Sequence, residues 1–381
     1  MSERPTPIYL DHAATTPMRV EAVEAMLPYL TDRFANPSGS HRAARDARRA
    51  LDEARDVVAE VLDVPSGGIV FTGGGTEADN AALTGTLRLH GGVAVCAAAE
   101  HHAVLNVVEC SGGRVVGVDS SGRIDLAALD AALDEHVSVV SVMAVNNEVG
   151  TFQPLATVAE LVRGRAPGAY FHTDAVQAAC WLELSALTPL VDLLAISAHK
   201  FGGPKGVGAL WIRDGVQLQP LLQGGGQERD RRSGTHNVAG IVAMAEALRL
   251  TAEQRVETNA RVTRLRDRLV DGLLATCPGS SETVERADKI PGSAHMCFEG
   301  CESEALLFLL DQADICASAA SACASGAMEP SHVLAAMGVN KERARGAIRF
   351  SLGCTTTDDD VDRALAAIPE MVERLRGRPC R

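Results

Sequence analysis

Apolar positions in this chain come in two patterns that take turns along it. Short continuous runs at 69–72, 93–97, 137–145, 169–173, 190–196 and 207–212 read as strands buried on both faces. Between them, 20–30, 43–62 and the stretch that closes at Leu89 read as helices, and 43–62 sets its arginines and acids on a solvated side. Strands alternating with helices predict a mainly parallel sheet whose sites gather at the C-terminal strand ends. Next comes an alanine- and arginine-rich helical stretch, 240–277, too long for one average helix and broken by Pro278-Gly279-Ser280-Ser281. Beyond the break, strands at 295–298, 314–316 and 347–351 alternate with helices at 303–310, 331–337 and 358–376, a smaller α/β unit. The expected division is a large unit over 16–255 and a small one made of 1–15 together with 256–381.

Polar residues that end these runs carry the candidate chemistry. The run 190–196 passes into Ser197-Ala198-His199-Lys200 and a Gly202-Gly203-Pro204-Lys205-Gly206 turn, which puts Lys200 at a strand end. An amine held there against apolar backbone is partly desolvated, and desolvation favours the neutral form that Schiff-base chemistry needs. Lys205 reads as a plain turn lysine, and the spacing is not that of a P-loop. One strand-helix-strand repeat earlier, Phe171-His172-Thr173-Asp174 ends on a carboxylate at the same edge. A lysine opposite an aspartate is what pyridoxal phosphate requires, one for its carbonyl and one for its ring nitrogen. Gly73-Gly74-Gly75-Thr76-Glu77-Ala78-Asp79-Asn80 adds a glycine-rich helix start, readable as a phosphate cup and, through Thr76 and Asp79, as a capping box.

Composition narrows the function classes. With 381 residues, 46% of them hydrophobic, the chain has material for a substantial core. A net charge of −13 and only 3% aromatic residues leave little for a direct nucleic-acid surface, a local patch at Arg229, Arg231 and Arg232 aside. The polar start, Met1 to Pro7, lacks the pattern of a secretory signal, and 137–145 is too short to span a bilayer, so a cytoplasmic protein is expected. Ten cysteines without a Cys-x2-Cys pair read as reduced, mostly buried thiols, and Cys297 with Cys301 lacks a second pair for a metal.

Nearly end to end, from Ile8-Tyr9-Leu10-Asp11 to Ile348-Arg349-Phe350-Ser351-Leu352-Gly353, the chain resembles the cysteine desulfurases of the IscS/NifS type in the aminotransferase class V family. The resemblance implies a fold type I transferase dependent on pyridoxal 5'-phosphate: a large domain with a mainly parallel sheet and a smaller C-terminal α/β domain. It implies L-cysteine as substrate, L-alanine as product and a persulfide left on Cys323, in Ser321-Ala322-Cys323 ahead of Glu329-Pro330-Ser331-His332-Val333-Leu334. Lys200 and His101 join Cys323 as catalytic residues. Gly75, Thr76, His101, Asn147, Asp174, Gln177, Ser197, His199 and Lys200 would hold the cofactor, with Thr235 reaching the phosphate in the other subunit of a homodimer. Arg349, with Asn147, would bind the substrate carboxylate. A sulfur-acceptor protein is implied as partner, in iron-sulfur assembly, tRNA thiolation or DNA phosphorothioation.

Departures from the family pattern qualify this. Ala198 and Ala320 stand where glycines are usual, His102 stands where a lysine is usual, and the chain ends soon after its last helix, which tilts the expectation toward a dedicated pathway. Alternatives within enzymes are selenocysteine lysis or another class V transamination, the latter of which does not need Cys323. A slow sulfur-relay or scaffold subunit is the alternative outside them.

Overall fold

The apolar runs fold largely where their pattern places them. The structure is a computed structural model, and it describes residues 7–319 and 331–377; Cys323 lies outside the described residues. The chain runs β1 (Ile8–Tyr9), α1 (Val20–Leu30), α2 (Arg42–Leu62), β2 (Ile69–Thr72), α3 (Gly75–His90), β3 (Val93–Ala97), α4 (His102–Cys110), β4 (Arg114–Val116), α5 (Leu126–Ala132) and β5 (Val137–Ser141). It continues through α6 (Leu155–Arg165), β6 (Tyr170–Asp174), β7 (Leu193–Ser197), β8 (Gly208–Ile212) and α7 (Val238–Thr276). Then follow β9 (Ser280–Glu282), β10 (Ser293–Phe298), α8 (Ser303–Gln312), β11 (Ile315–Cys316), α9 (His332–Ala336), α10 (Lys341–Arg345), β12 (Ala347–Ser351) and α11 (Asp358–Arg376).

Seven strands form the main sheet in the order β2-β8-β7-β6-β5-β3-β4. All neighbours are parallel except β8, which runs antiparallel to both β7 and β2. The reason is local: the turn 202–206, with Gly202 and Gly206 at positive φ, is far too short for a parallel crossover. Because side chains alternate, Leu194, Ile196 and Phe171 face α2, α6 and α7, while Val139, Leu193 and Ala195 face α3 and α4. The small sheet, β12-β10-β9, is antiparallel, and β1 pairs with β11 beside it. Leu10 and Asp11 lead from β1 onto β12, where Ser351 N–H donates to Leu10 O at 2.7 Å. The N-terminal arm thereby reaches the edge of the main sheet.

Three expectations shift. The strand expected over 137–145 ends at Ser141, although Val142 and Ala144 still donate to His172 O and Asp174 O at 3.1 and 2.9 Å. The strand expected from 190 begins only at Leu193: Val191 O is taken by the Arg213 side chain, and Asp192 makes the first backbone bonds to the neighbours, to Phe171 O and from Arg213 N–H. The stretch 240–277 is a single helix of 39 residues, α7. Its first half gives Ile241, Met244 and Leu248 to the core under the main sheet, and its second half gives Val262, Leu265 and Leu269 to the core under the small one. Tertiary burial along both halves replaces the need for a break. No helix among the described residues is long and apolar enough to cross a membrane.

Candidate active site

The sheet order brings the strand ends that carry Asp174 and Lys200 side by side, since β6 and β7 are parallel neighbours. Lys200 closes the short helical turn after β7, and its Nζ donates to Ala13 O at 2.5 Å and Ala14 O at 3.0 Å. Among the described residues no carboxylate lies within ion-pair distance of it. Burial, then the nearby Arg349, lowers its pKa to about 8, against the opposing pull of Asp174, Asp11 and Cys180. Gln177 Nε2 donates to the same Ala13 carbonyl at 2.8 Å, and His199 Nδ1 lies 3.1 Å from Thr15 Oγ1. Burial, with Lys200 and Lys205 beside it, lowers the pKa of His199 to about 4. The arm 11–16, readable in sequence only as a loop near the site, is thus the surface against which the lysine turn is set.

Asp174 is buried at the end of β6. Its Oδ1 accepts Val176 N–H at 2.8 Å, and its other oxygen has no hydrogen bond among the described residues. Burial raises its pKa, while His101, the Val176 amide and Lys200 work against that rise. A carboxylate so placed calls for a cation opposite it. His101 caps α4 by accepting Ala103 N–H at Nδ1, 3.1 Å away. Desolvation lowers its pKa; Asp174 opposes the change, and Lys200 and His102 reinforce it. His102 instead packs its ring against His332, centroids 4.4 Å apart.

Gly74, at φ 141°, leads into α3, which has no side-chain cap. The expected capping box therefore does not form: Thr76 is exposed, and Asp79 turns into the core. Glu77 instead accepts Gly73 N–H at 2.8 Å and pairs with Arg232 at 2.8 Å. The first amides of a 16-residue helix are left for an anion. A Cβ on Gly75 would lie 2.7 Å from Val176 and 3.4 Å from Ser197, so glycine is what lets the helix start close on these neighbours.

Arg349, from β12, is buried and donates to Asn147 O at 3.0 Å and Asp11 Oδ1 at 2.8 Å, while its Nε has no partner among the described residues. The structure thus brings together Gly75, His101, Asn147, Asp174, Gln177, Ser197, His199, Lys200 and Arg349 around one edge. Asn147, Gln177, Lys200 and Arg349 line one shared cleft. Thr235 is exposed on the loop before α7 and bonds none of them. Of the basic patch, Arg229 and Arg231 donate to Gly67 O, and Arg232 is paired with Glu77. Among the described residues no cluster suits a metal, and half of the eight described cysteines are buried. Sequence reasoning missed Asp11 as the partner of Arg349. It also missed Glu148, whose buried carboxylate accepts Ser331 Oγ–H and whose pKa burial raises to about 7. It missed Asp79, Glu100 and His172, although His172 could have been found as the strand position sharing a face with Asp174.

An amine with no acidic partner, a buried carboxylate with an oxygen to spare and an uncapped helix start fit pyridoxal phosphate at its carbonyl, ring nitrogen and phosphate. A parallel sheet presenting that set at its C-terminal edge defines a pyridoxal phosphate-dependent enzyme of fold type I. The chain belongs to the aminotransferase class V family, whose model matches residues 8–364. It is 45% identical to a cysteine desulfurase of Cereibacter sphaeroides over 97% of this chain and 96% of that one. Among solved structures, a NifS-like protein superposes with a TM-score of 0.90 at 35% identity, covering 97% of this chain and all of the other. DndA from Streptomyces lividans superposes with a TM-score of 0.75 at 34% identity, over 91% and 99% of the two chains.

Proposed function

We propose that this protein is a cysteine desulfurase, converting L-cysteine to L-alanine and leaving the sulfur as a persulfide on Cys323. The observation that carries the reading is Lys200: a half-buried amine whose only hydrogen bonds among the described residues go to two backbone carbonyls, beside the half-committed carboxylate of Asp174. Bound pyridoxal phosphate supplies an electron sink for the substrate's Cα. Around it, Lys200 would hold the coenzyme's carbonyl, and its amine is placed to move the substrate's Cα proton. At a pKa of about 8, roughly a tenth of such amines are neutral at pH 7, which suits a base working near neutrality. Asp174 keeps the ring nitrogen's proton in place. Gln177 would hold the coenzyme's phenolic side, and His101 would pack against it and serve as the proton carrier. Gly75, Thr76, Ser197 and His199 take the phosphate, and Asn147 serves both coenzyme and substrate. Arg349 lines the same cleft and would meet the substrate carboxylate with its guanidinium.

The Cys323 thiolate then attacks the substrate sulfur. An S–S bond forms as the Cβ–S bond breaks, Cβ takes a proton, and cysteine plus enzyme thiol give alanine plus enzyme persulfide. We assign Thr235, exposed on its loop, to the phosphate site of a second copy, so that the working enzyme is a homodimer. We also assign residues 16–255 to the coenzyme domain and 1–15 with 256–381 to the domain that carries Cys323. A sulfur-acceptor protein takes the persulfide onward. The test is incubation with L-cysteine, with and without reductant, reading alanine and sulfide for wild type and Cys323→Ala. Alanine from wild type, with sulfide released on reduction and both lost in the variant, is expected. An equally active variant removes Cys323 from the mechanism, and a coenzyme-loaded wild type that makes no alanine removes the desulfurase.

A further inference from the structure

Beneath Asp174, on the face of the sheet covered by α3, lies a second set of polar groups that no step above uses. His172 and Asp174 are two apart on β6 and share that face, and Ser141 of β5 stands opposite His172 in the register. His172, Asp79, Glu100 and Ser141 are each at most 1% exposed. His172 Nδ1 lies 2.8 Å from Ser141 Oγ, and its Nε2 lies 3.5 Å from Asp79 Oδ1. Neither Nε2 nor Oδ1 has a hydrogen bond, and a movement of less than about 1 Å would join them. Glu100 spends one oxygen on Met143 N–H at 2.7 Å and leaves the other without a partner.

Three carboxylates therefore share one dry shell. The titratable and charged groups around it are Glu100 after β3, His101 at the start of α4, His172 and Asp174 on β6, and Lys200 after β7. Buried carboxylates this close do not all ionise, and the charge settles on the one that has a cation to face. That one is Asp174, which has the amine of Lys200 near it; the protons must be held by the others.

We propose that Asp79 is a positioning residue that keeps a proton. As a neutral acid it donates to Nε2 of His172, which fixes the imidazole with its own proton on Nδ1, donated to Ser141 Oγ, and leaves Asp174 as the negative charge beneath the coenzyme. The proposal rests on the reading of Asp174 given above. The acid's proton would join these two facing atoms, which lack a hydrogen bond among the described residues. Burial and the charges of Asp174 and Glu100 favour the protonated acid at Asp79, and burial lowers the pKa of His172 to about 3, so a neutral pair is favoured over an ion pair.

The test is nitrogen NMR of the histidine-labelled holoenzyme, with His172 assigned by its loss in His172→Gln. A neutral ring carrying its proton on Nδ1, unchanged between about pH 6 and 8, is expected. A protonated ring, or a proton on Nε2, overturns the proposal. Asp79→Ala should move the ring's proton to Nε2. It should also displace the pH at which the bound coenzyme's absorbance changes, and kcat/KM should fall about tenfold for each pH unit by which that midpoint moves. Asp79→Asn, which still donates but cannot ionise, should restore the Nδ1 proton and most of the absorbance profile; if it behaves as Asp79→Ala does, Asp79 acts as a charge and the proposal fails. Asp174→Asn is the separate control on the site. If it leaves the absorbance unchanged, the placement of the coenzyme falls and this proposal with it, whereas a changed spectrum with the wrong His172 proton sinks this proposal alone.

Discussion

Lys200 and Lys289 are both desolvated, and burial lowers the pKa of each to about 8, yet their surroundings differ in kind. Lys289 is fully enclosed between the small sheet and the turn after β5, and its Nζ donates to Glu282, which Arg286 also holds at 3.1 Å. Its backbone belongs to the same junction: Thr151 bridges to Lys289, and Ile290 N–H donates to Gly150 O at 3.0 Å. Among the described residues Lys200 has only carbonyls to bond, and it opens on the cleft that Arg349 and Gln177 also line. A lowered pKa alone therefore does not find a reactive amine; what the amine faces does. Lys289 is committed to a carboxylate, and Lys200 is held ready between carbonyls and Asp174.

The sharpest break of this comparison is to remove each lysine. Lys200→Ala is expected to lower alanine formation by about 10³-fold or more, to abolish the coenzyme fixed to the protein by borohydride, and to leave the melting temperature near that of wild type. Lys289→Met is expected to keep both the activity per folded molecule and the fixed coenzyme. Coenzyme still fixed in Lys200→Ala but lost in Lys289→Met would exchange the two roles.

Next in size is stability. Lys289→Ala leaves the mostly buried Glu282 with Arg286 as its remaining cation, a loss in urea unfolding below the roughly 3 kcal/mol of a fully uncompensated buried charge. Replacing both partners by apolar residues of similar volume, as Lys289→Met with Glu282→Leu, should recover most of it. Failure of the double variant to recover would mean that the pair does more than satisfy itself, and the contrast with Lys200 would blur.

Acidity separates the lysines further. Each has a folded pKa below its ordinary 10.5, so the unfolded chain holds more protons between pH 8 and 10.5. Stability from both groups rises across that window and is lost as pH falls through about 8. In stopped-flow mixing, capture of pyridoxal phosphate by the apoenzyme should follow Lys200 alone, rising through about pH 8 and levelling above it. Lys289→Met should flatten part of the stability curve and leave the capture curve where it was. A capture midpoint that moved in Lys289→Met would couple the two regions.

The sequence distinguishes these regions unequally, for physical reasons. Asp174 and Lys200 are legible because a parallel sheet puts its strand ends at one edge, and an apolar run followed by a polar residue and a glycine turn marks such an end. Lys289 is not legible: Asp288-Lys289-Ile290 reads as any charged loop, and its burial comes from Glu282 on nearby β9 together with the turn at Gly150, which is remote in sequence. Thr76 and Asp79 mislead for a related reason. Their spacing fits a capping box, but Asp79 is drawn into the shell with His172 and Glu100, a destination set by β6 rather than by the helix start. The strand at 137–145 is over-read because apolar continuity does not say where the ladder stops, and the 39-residue helix is under-read because two cores bury one helix.

The smallest expected effect tests how finely Lys200 is set. Asp11 pairs with Arg349 at 2.8 Å, and its charge also helps Lys200 hold its proton, while Arg349 works against that. Asp11→Asn removes the first influence and frees the positive charge of the second, so both changes push the amine the same way. The capture midpoint should fall by a few tenths of a pH unit, since charges at a partly solvated edge act through a high effective dielectric. The pH dependence of stability owed to Lys289 should not move, because Asp11 is absent from the charges that act on it, which are Glu282, Arg266 and Arg286. A midpoint that rises instead would mean that freed Arg349 turns away from Lys200. The lysine would then be tuned by the arm's carbonyls rather than by its charges, and the difference between the two desolvated amines would reduce to hydrogen bonding.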